Sequence, residues 1–244
     1  MTDFAALHRA GDPLVLPNAW DVASARYLAD AGFPAIGTTS LGVAAAHGLP
    51  DGTGAADAAT LNLTRSLAGL PVHLTVDLEG GSVGAAVAVA QAGAAGVNIE
   101  DAMGSAQAHA ALIRAVKREV PQLFVNARTD THWQRPGDTA EALRRVRLYA
   151  EAGADGMFVP GLAEPADIAA VVGAVGLPVN ILFLPGRHSV AELSNLGVRR
   201  ISTGSLLFRA ALAACAETAL AVRDGSEIRP GLPSYSQVND WAPE

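Results

Sequence analysis

Residues 72–101, VHLTVDLEGGSVGAAVAVAQAGAAGVNIED, set the reading of the whole chain. Val72–Val76 and Gly96–Ile99 are short runs of strand-forming residues, separated by an alanine-rich helical stretch that closes on Ala92-Gly93-Ala94. This is one strand–helix–strand unit. Its glycine suits the helix C′ position, where the backbone turns through φ > 0 before the next strand. The phrase recurs at Ala31-Gly32-Phe33 and Ala152-Gly153-Ala154. Working outward, eight strand candidates alternate with helical runs: Leu14–Leu16, Ala35–Thr38, Val72–Val76, Gly96–Ile99, Leu123–Ala127, Gly156–Val159, Val179–Leu182 and Arg200–Ser202. Alternation of this kind implies an α/β fold with a parallel sheet. Eight units in 244 residues fit a single (β/α)8 TIM-type barrel better than an open sheet. No GxGxxG turn follows the first strand, which weighs against a dinucleotide fold. Residues 1–244 therefore read as one domain, with a Pro-, Gly- and Ser-rich tail at 225–244 expected to pack along a surface or a neighbouring subunit.

Half of the residues are hydrophobic and 17% are charged, a composition that buries a large core and shows no sign of disorder. The net charge of −7 argues against a nucleic-acid partner. The longest basic cluster, Arg144-Arg145-Val146-Arg147, reads as a solvated helix face or a subunit contact. In the helix expected over 139–152, Ala140, Leu143, Val146, Tyr149 and Ala150 share the apolar face, and the arginines point away from it. The single cysteine, Cys215, sits in an apolar run and is expected to be a buried, inert thiol. The start Met-Thr-Asp-Phe is no signal peptide, and no apolar run approaches the ~20 residues of a membrane span, so the expected location is cytoplasmic.

Chemistry in such barrels gathers at the C-terminal strand ends. Asp77 and Glu79 follow one strand and point the same way if the extended geometry continues. Glu100 and Asp101 follow the next. Three carboxylates at adjacent strand mouths repel unless a cation intervenes, and oxygen-only ligands suit Mg²⁺ or Mn²⁺. The competing reading is helix capping, evenly matched with function for Asp101. Arg128 ends a strand of apolar and small residues, where a charge needs an anionic substrate or an ion pair with Glu100 or Asp130. Thr38-Thr39-Ser40-Leu41-Gly42 offers hydroxyls and consecutive amides for a carboxylate. Asp51, between Pro50 and Gly52, reads on its own as a turn former. The histidines at 8, 73, 109, 132 and 188 lack metal-ligand spacing and read as structural or exposed.

At these residues the chain resembles the isocitrate lyase/phosphoenolpyruvate mutase superfamily. The likeness runs from Leu16-Pro17-Asn18-Ala19-Trp20-Asp21 through Asn98-Ile99-Glu100-Asp101, Ala127-Arg128-Thr129-Asp130 and Pro178-Val179-Asn180-Ile181-Leu182 to Gly197-Val198-Arg199-Arg200-Ile201-Ser202. The resemblance implies a barrel whose C-terminal helix is exchanged between subunits of a homo-oligomer, a dimer or tetramer. It implies Asp77 as a direct Mg²⁺ ligand, with Glu79 and Glu100 acting through water. Ser40, Leu41, Gly42, Arg128 and Asn180 are implied in binding a small anionic carboxylate, and Asp51 and Arg128 in catalysis. Family chemistry stabilises an enolate as a C–C or P–C bond breaks. Two departures narrow it. Glu100-Asp101 is followed by Ala102-Met103-Gly104-Ser105-Ala106-Gln107, without the lyases' Lys-Lys-Cys-Gly-His loop or the mutases' lysine and asparagine. Asp77-Leu78-Glu79 stands where the family has Asp-Xaa-Asp. The expectation is an oxaloacetate-decarboxylase-like C–C lyase. Aldol cleavage of methylisocitrate type, P–C mutase or hydrolase chemistry, and a silent dicarboxylate binder are the alternatives.

Overall fold

The computed structural model describes residues 3–133 and 137–241. The last three residues of the 225–244 tail lie outside the described residues. After a short 3₁₀ turn at Ala5–Leu7, the order is β1 (Leu14–Leu16), β2 (Asn18–Ala19), α1 (Val22–Asp30), β3 (Ala35–Thr38), α2 (Ser40–Ala46), α3 (Asp57–Leu67), β4 (His73–Asp77) and α4 (Val83–Gln91). There follow β5 (Gly96–Glu100), α5 (Ala106–Glu119), β6 (Phe124–Arg128), α6 (Thr139–Glu151), β7 (Gly156–Phe158) and α7 (Pro165–Ala174). The chain finishes with β8 (Val179–Leu182), α8 (Val190–Asn195), β9 (Arg200–Ser202), α9 (Leu206–Asp224) and α10 (Tyr235–Asn239).

Every strand pairing is parallel, in the order β1-β9-β8-β7-β6-β5-β4-β3-β2. The ends of that order, β1 and β2, are one extended segment split at Pro17, which has no N–H for a ladder. The sheet thereby closes into a (β/α)-type barrel. Asn18 spans the split. Its Oδ1 accepts from the Thr203 and Gly204 amides at 3.0 and 2.9 Å, and its Nδ2 donates to the Thr38 carbonyl at 2.7 Å. Asn18 needs room inside the barrel, and Gly37 provides it: a Cβ there would lie 2.6 Å from Asn18 Nδ2.

Two cores result. The larger fills the layer between strands and helices, with Val76, Val97, Ile99, Val125 and Ile201 packed against Ala86, Ile113, Val146 and Ile168. The smaller plugs the N-terminal mouth of the barrel with Phe4, Leu14, Leu16, Ala35 and Phe124. The helix-ending glycines behave as expected, with Gly32, Gly93 and Gly153 at φ of 89°, 99° and 96°.

Three expectations are corrected. The helix face of α6 that is buried carries Ala142, Arg145, Val146 and Tyr149, so Arg145 points inward rather than to solvent. Cys215 is exposed, because α9 buries only Phe208 and, among the described residues, no other element covers its remaining length. Glu79 sits at φ 51°, so the extended geometry of β4 stops before it. The tail runs back along the surface to α1, where Trp241 Nε1 donates to Asp30 at 3.0 Å and its ring lies 5.8 Å from Tyr27. Among the described residues no helix is long and apolar enough to cross a membrane.

Candidate active site

The C-terminal strand ends open into a cavity of about 510 Å³. Asn18, Ser40, Leu41, Asp51, Asp77, Glu79, Glu100, Asp130 and Arg128 all line it, together with Met103, Trp133, Phe158 and Phe183. Each carboxylate arrives by a separate route. Asp77 is the last residue of β4, its amide held by the Thr38 hydroxyl at 2.9 Å. Its Oδ2 accepts one long bond, 3.5 Å, from the Ser40 amide. Glu79 enters through its left-handed backbone, and its carboxylate accepts from the Gly54 amide at 2.8 Å, tying β4 to the loop that carries Asp51. Glu100 ends β5 beside Arg128, its register partner at the end of β6.

Arg128 is the cation that intervenes among these carboxylates. Its Nη1 lies 2.7 Å from Glu100 and its Nε 2.6 Å from Asp130. The guanidinium carbon also lies 5.7 Å from the Trp133 ring centroid and 5.8 Å from that of Phe158. Aromatic rings at that range stabilise a planar cation without consuming its donors.

Burial still dominates the electrostatics. It pushes the Glu100 carboxyl up to about 7 against the pull of Arg128, with Asp77, Asp130 and Glu79 adding to the rise. Burial raises Asp77 and Asp130 as well. The lining holds five carboxylates, Asp51, Asp77, Glu79, Glu100 and Asp130, against the two guanidiniums of Arg128 and Arg209. Such a cavity is short of positive charge. Among the described residues no three His, Cys, Asp or Glu side chains converge tightly enough to hold a metal between them. The donor set fits a hydrated divalent ion attached at one protein carboxylate, since Asp77 is half-buried on the cavity wall with one long bond from the Ser40 amide, and water can link the ion to more distant oxygens.

Asp101 turns the other way. It accepts from Tyr149 Oη and Arg145 Nη1, both at 2.7 Å, and from the Met103 and Asp130 amides at 3.0 and 3.2 Å. It is no helix cap, because Ser105 caps α5. Two other residues also sit off the cavity wall. Gly42 is buried against Trp20 and Thr39, where a Cβ would come within 2.8 Å of each. Asn180 is buried one layer below, register-paired with Arg200. Sequence reasoning missed Trp133, Phe158 and Arg209 on the wall. The aromatics look like ordinary core residues, and Arg209 reaches the rim from the first turn of α9.

The family described as phosphoenolpyruvate phosphomutase matches residues 4–223. An uncharacterized protein of Mycobacterium tuberculosis is 45% identical over 96% of this chain and 94% of its own. A Burkholderia cenocepacia structure provisionally assigned as a phosphonomutase is 36% identical, with a TM-score of 0.83 over 92% of this chain and 97% of that one. The structure of a 2,3-dimethylmalate lyase is 25% identical, with a TM-score of 0.81 over 99% and 95%.

Proposed function

The chain belongs to the phosphoenolpyruvate mutase/isocitrate lyase superfamily, in its mutase-like branch, and on that premise we propose that it is a Mg²⁺-dependent C–C lyase of small 2-oxo or 2-hydroxy di- or tricarboxylates, with oxaloacetate decarboxylation as the leading reaction. The observation that carries this reading is the charge of the cavity wall, five carboxylates against two guanidiniums. An anionic substrate enters such a wall only in company with a cation.

In this reading Asp77 is the direct ligand of Mg²⁺ (or Mn²⁺), and Glu79 and Glu100 reach it through water. The ion, when bound, supplies Lewis-acid stabilisation of the negative charge that develops on the substrate carbonyl oxygen as the C–C bond breaks. The protein's own groups do the rest. Ser40 and the amide of Leu41 receive the substrate carboxylate, and Gly42, off the wall, supports the turn that presents them. Arg128 pairs with the departing or developing charge through the donors that Glu100 and Asp130 leave free. Asp51, on the loop that Glu79 anchors, handles the proton at the reacting carbon. Asn180 acts from beneath the floor, as a support for the substrate-binding layer.

The likeness to a 2,3-dimethylmalate lyase favours aldol-type cleavage as the second reading. The exposed apolar residues of α9, Leu212, Leu220 and Val222, support a homo-oligomer built by exchange of this helix. The deciding experiment is a Mg²⁺-dependent turnover screen over oxaloacetate, substituted malates, methylisocitrate and phosphonopyruvate, with Asp77→Ala as control. Pyruvate from oxaloacetate, above the metal-only rate and lost in the variant, supports the decarboxylase. Pyruvate from methylisocitrate or 2,3-dimethylmalate, or glyoxylate from malates substituted only at the carbon beside the carbinol, replaces it with aldol-type cleavage; phosphate from phosphonopyruvate replaces it with a P–C reaction; and silence across the panel with oxalate still bound replaces it with a dicarboxylate binder.

A further inference from the structure

Arg200 begins β9 and is 1% exposed, the largest fully buried side chain among the described residues. It points into the barrel and crosses to the opposite wall, where Nη2 donates to Asn98 Oδ1 at 3.2 Å. The same oxygen accepts from Asn126 Nδ2 at 2.8 Å, so it is shared. Among the described residues nothing else hydrogen-bonds the guanidinium, and Asp77 is the one carboxylate whose charge acts on it. Nε and Nη1 are buried without a partner. Asn180, its register partner on β8, is 1% exposed and has neither amide atom satisfied. Ser202, two residues on and therefore on the same face of β9, has a buried hydroxyl without a partner.

A buried charge with one shared hydrogen bond is costly, and buried polar groups are ordinarily paired. The chemistry of the orphans names what is missing. Arg200 offers one N–H from Nε and two from Nη1, and Asn180 offers two more from Nδ2. Against these stand two obligate acceptors, Asn180 Oδ1 and His8 Nε2, since His8 Nδ1 faces the Phe4 carbonyl at 3.1 Å and must donate to it. Water brings donors in the same number as acceptors and leaves this imbalance in place. An anion brings acceptance alone, together with the missing negative charge.

We propose that Arg200, Asn180 and Ser202 form an enclosed site for a small monovalent anion of halide size, inside the barrel and one layer below the floor of the cavity. The site is separate from the substrate position. Neither Arg200 nor Asn180 lines the cavity, and Asn98 and Ser202 lie between them and it. A larger anion would crowd strands that Leu16 and Phe124 already pack from below, and the single guanidinium of Arg200 balances one negative charge. Bound there, the ion neutralises Arg200 and fixes the Asn98–Asn126 pair on which the floor rests.

Two measurements on the full chain test this. Crystals grown in bromide are expected to show an anomalous peak within hydrogen-bond distance of Arg200. Thermal unfolding at constant ionic strength is expected to rise by about 4 °C or more when sodium gluconate is replaced by bromide, as for any ligand that binds the native state alone. The halide dependence disappears in Arg200→Met. It also disappears in Asn180→Asp, where a built-in carboxylate takes the place of the ion. Water without anomalous signal at Arg200, coincident melts in the two salts, or a halide shift that survives both substitutions would each overturn the proposal.

Discussion

Glu100 and Asp101 are adjacent in sequence, each faces an arginine, and they end in opposite electrostatic states. Glu100 points into the barrel, where Arg128 divides its donors between two carboxylates and burial lifts the acid up to about 7. Asp101 points between β5 and α6. Burial works to raise it too, but the Tyr149 hydroxyl, the Met103 amide and Arg145 outweigh burial and hold it below the ordinary carboxylate value. The difference is one of unmet valence. Asp101 has four donors around it and nothing left to give. Glu100 retains capacity for a ligand, and a carboxylate with capacity at a strand mouth is where chemistry is placed.

That contrast breaks first in stability. Asp101→Asn leaves Arg145 and Tyr149 buried without their anion, and removing one partner of a buried pair costs about 3–5 kcal/mol. Urea unfolding is expected to show this loss, with turnover per folded molecule little changed. A loss of turnover without a loss of stability would move Asp101 into the active site. Glu100→Gln is expected to do the reverse, lowering turnover about 100-fold or more, on the order of 3 kcal/mol at the transition state, at small cost to the fold.

The pH dependence sharpens the same contrast. A carboxyl raised in the folded state binds protons more tightly there than in the unfolded chain. Its contribution is complete below the unfolded value near 4.5 and is lost as pH rises through about 7. Metal-free protein is therefore expected to lose stability across that window. The slope flattens in Glu100→Gln without vanishing, since Asp77 and Asp130 are raised as well. Asp101 acts with the opposite sign: its contribution is present above pH 3.8 and lost as the pH falls below that value. A metal-free chain whose stability is flat from pH 4.5 to 7 would contradict the burial of the rim carboxylates.

How much of this was legible beforehand follows the same division. The barrel could be read from 72–101 and its repeats because hydrophobic period and helix-ending glycine are local properties. The rim residues could be read because strand ends are local too. Partnership is not local. Charge alone puts Arg145 on the solvent side, yet Asp101, 44 residues away, supplies the anion that takes it inside. The apolar neighbours of Cys215 point to burial, but only another element can bury a helix face, and among the described residues none lies over α9. Arg200 passed as part of a motif, and its isolation shows only once β5 and β9 face each other across the barrel.

The smallest expected effect tests whether burial, rather than the presence of an ion pair, decides these cases. Glu141 accepts two bonds from Arg144, both at 2.7 Å, and one from Arg145 at 2.6 Å, so the bonds are alike in length. The side chains differ in setting, with Arg144 at 49% exposure and Arg145 at 7%. Water and salt screen the first pair, and freezing two long side chains offsets what attraction remains. The second shares its arginine with a carboxylate that water does not reach. Arg144→Ala is therefore expected to leave the urea midpoint within experimental scatter at low and high salt, while Arg145→Ala lowers it about as far as Asp101→Asn does. Equal losses from the two arginines would show that Glu141, and not the buried Asp101, organises this side of the barrel, and the distinction between the two neighbouring carboxylates would have to be drawn on other grounds.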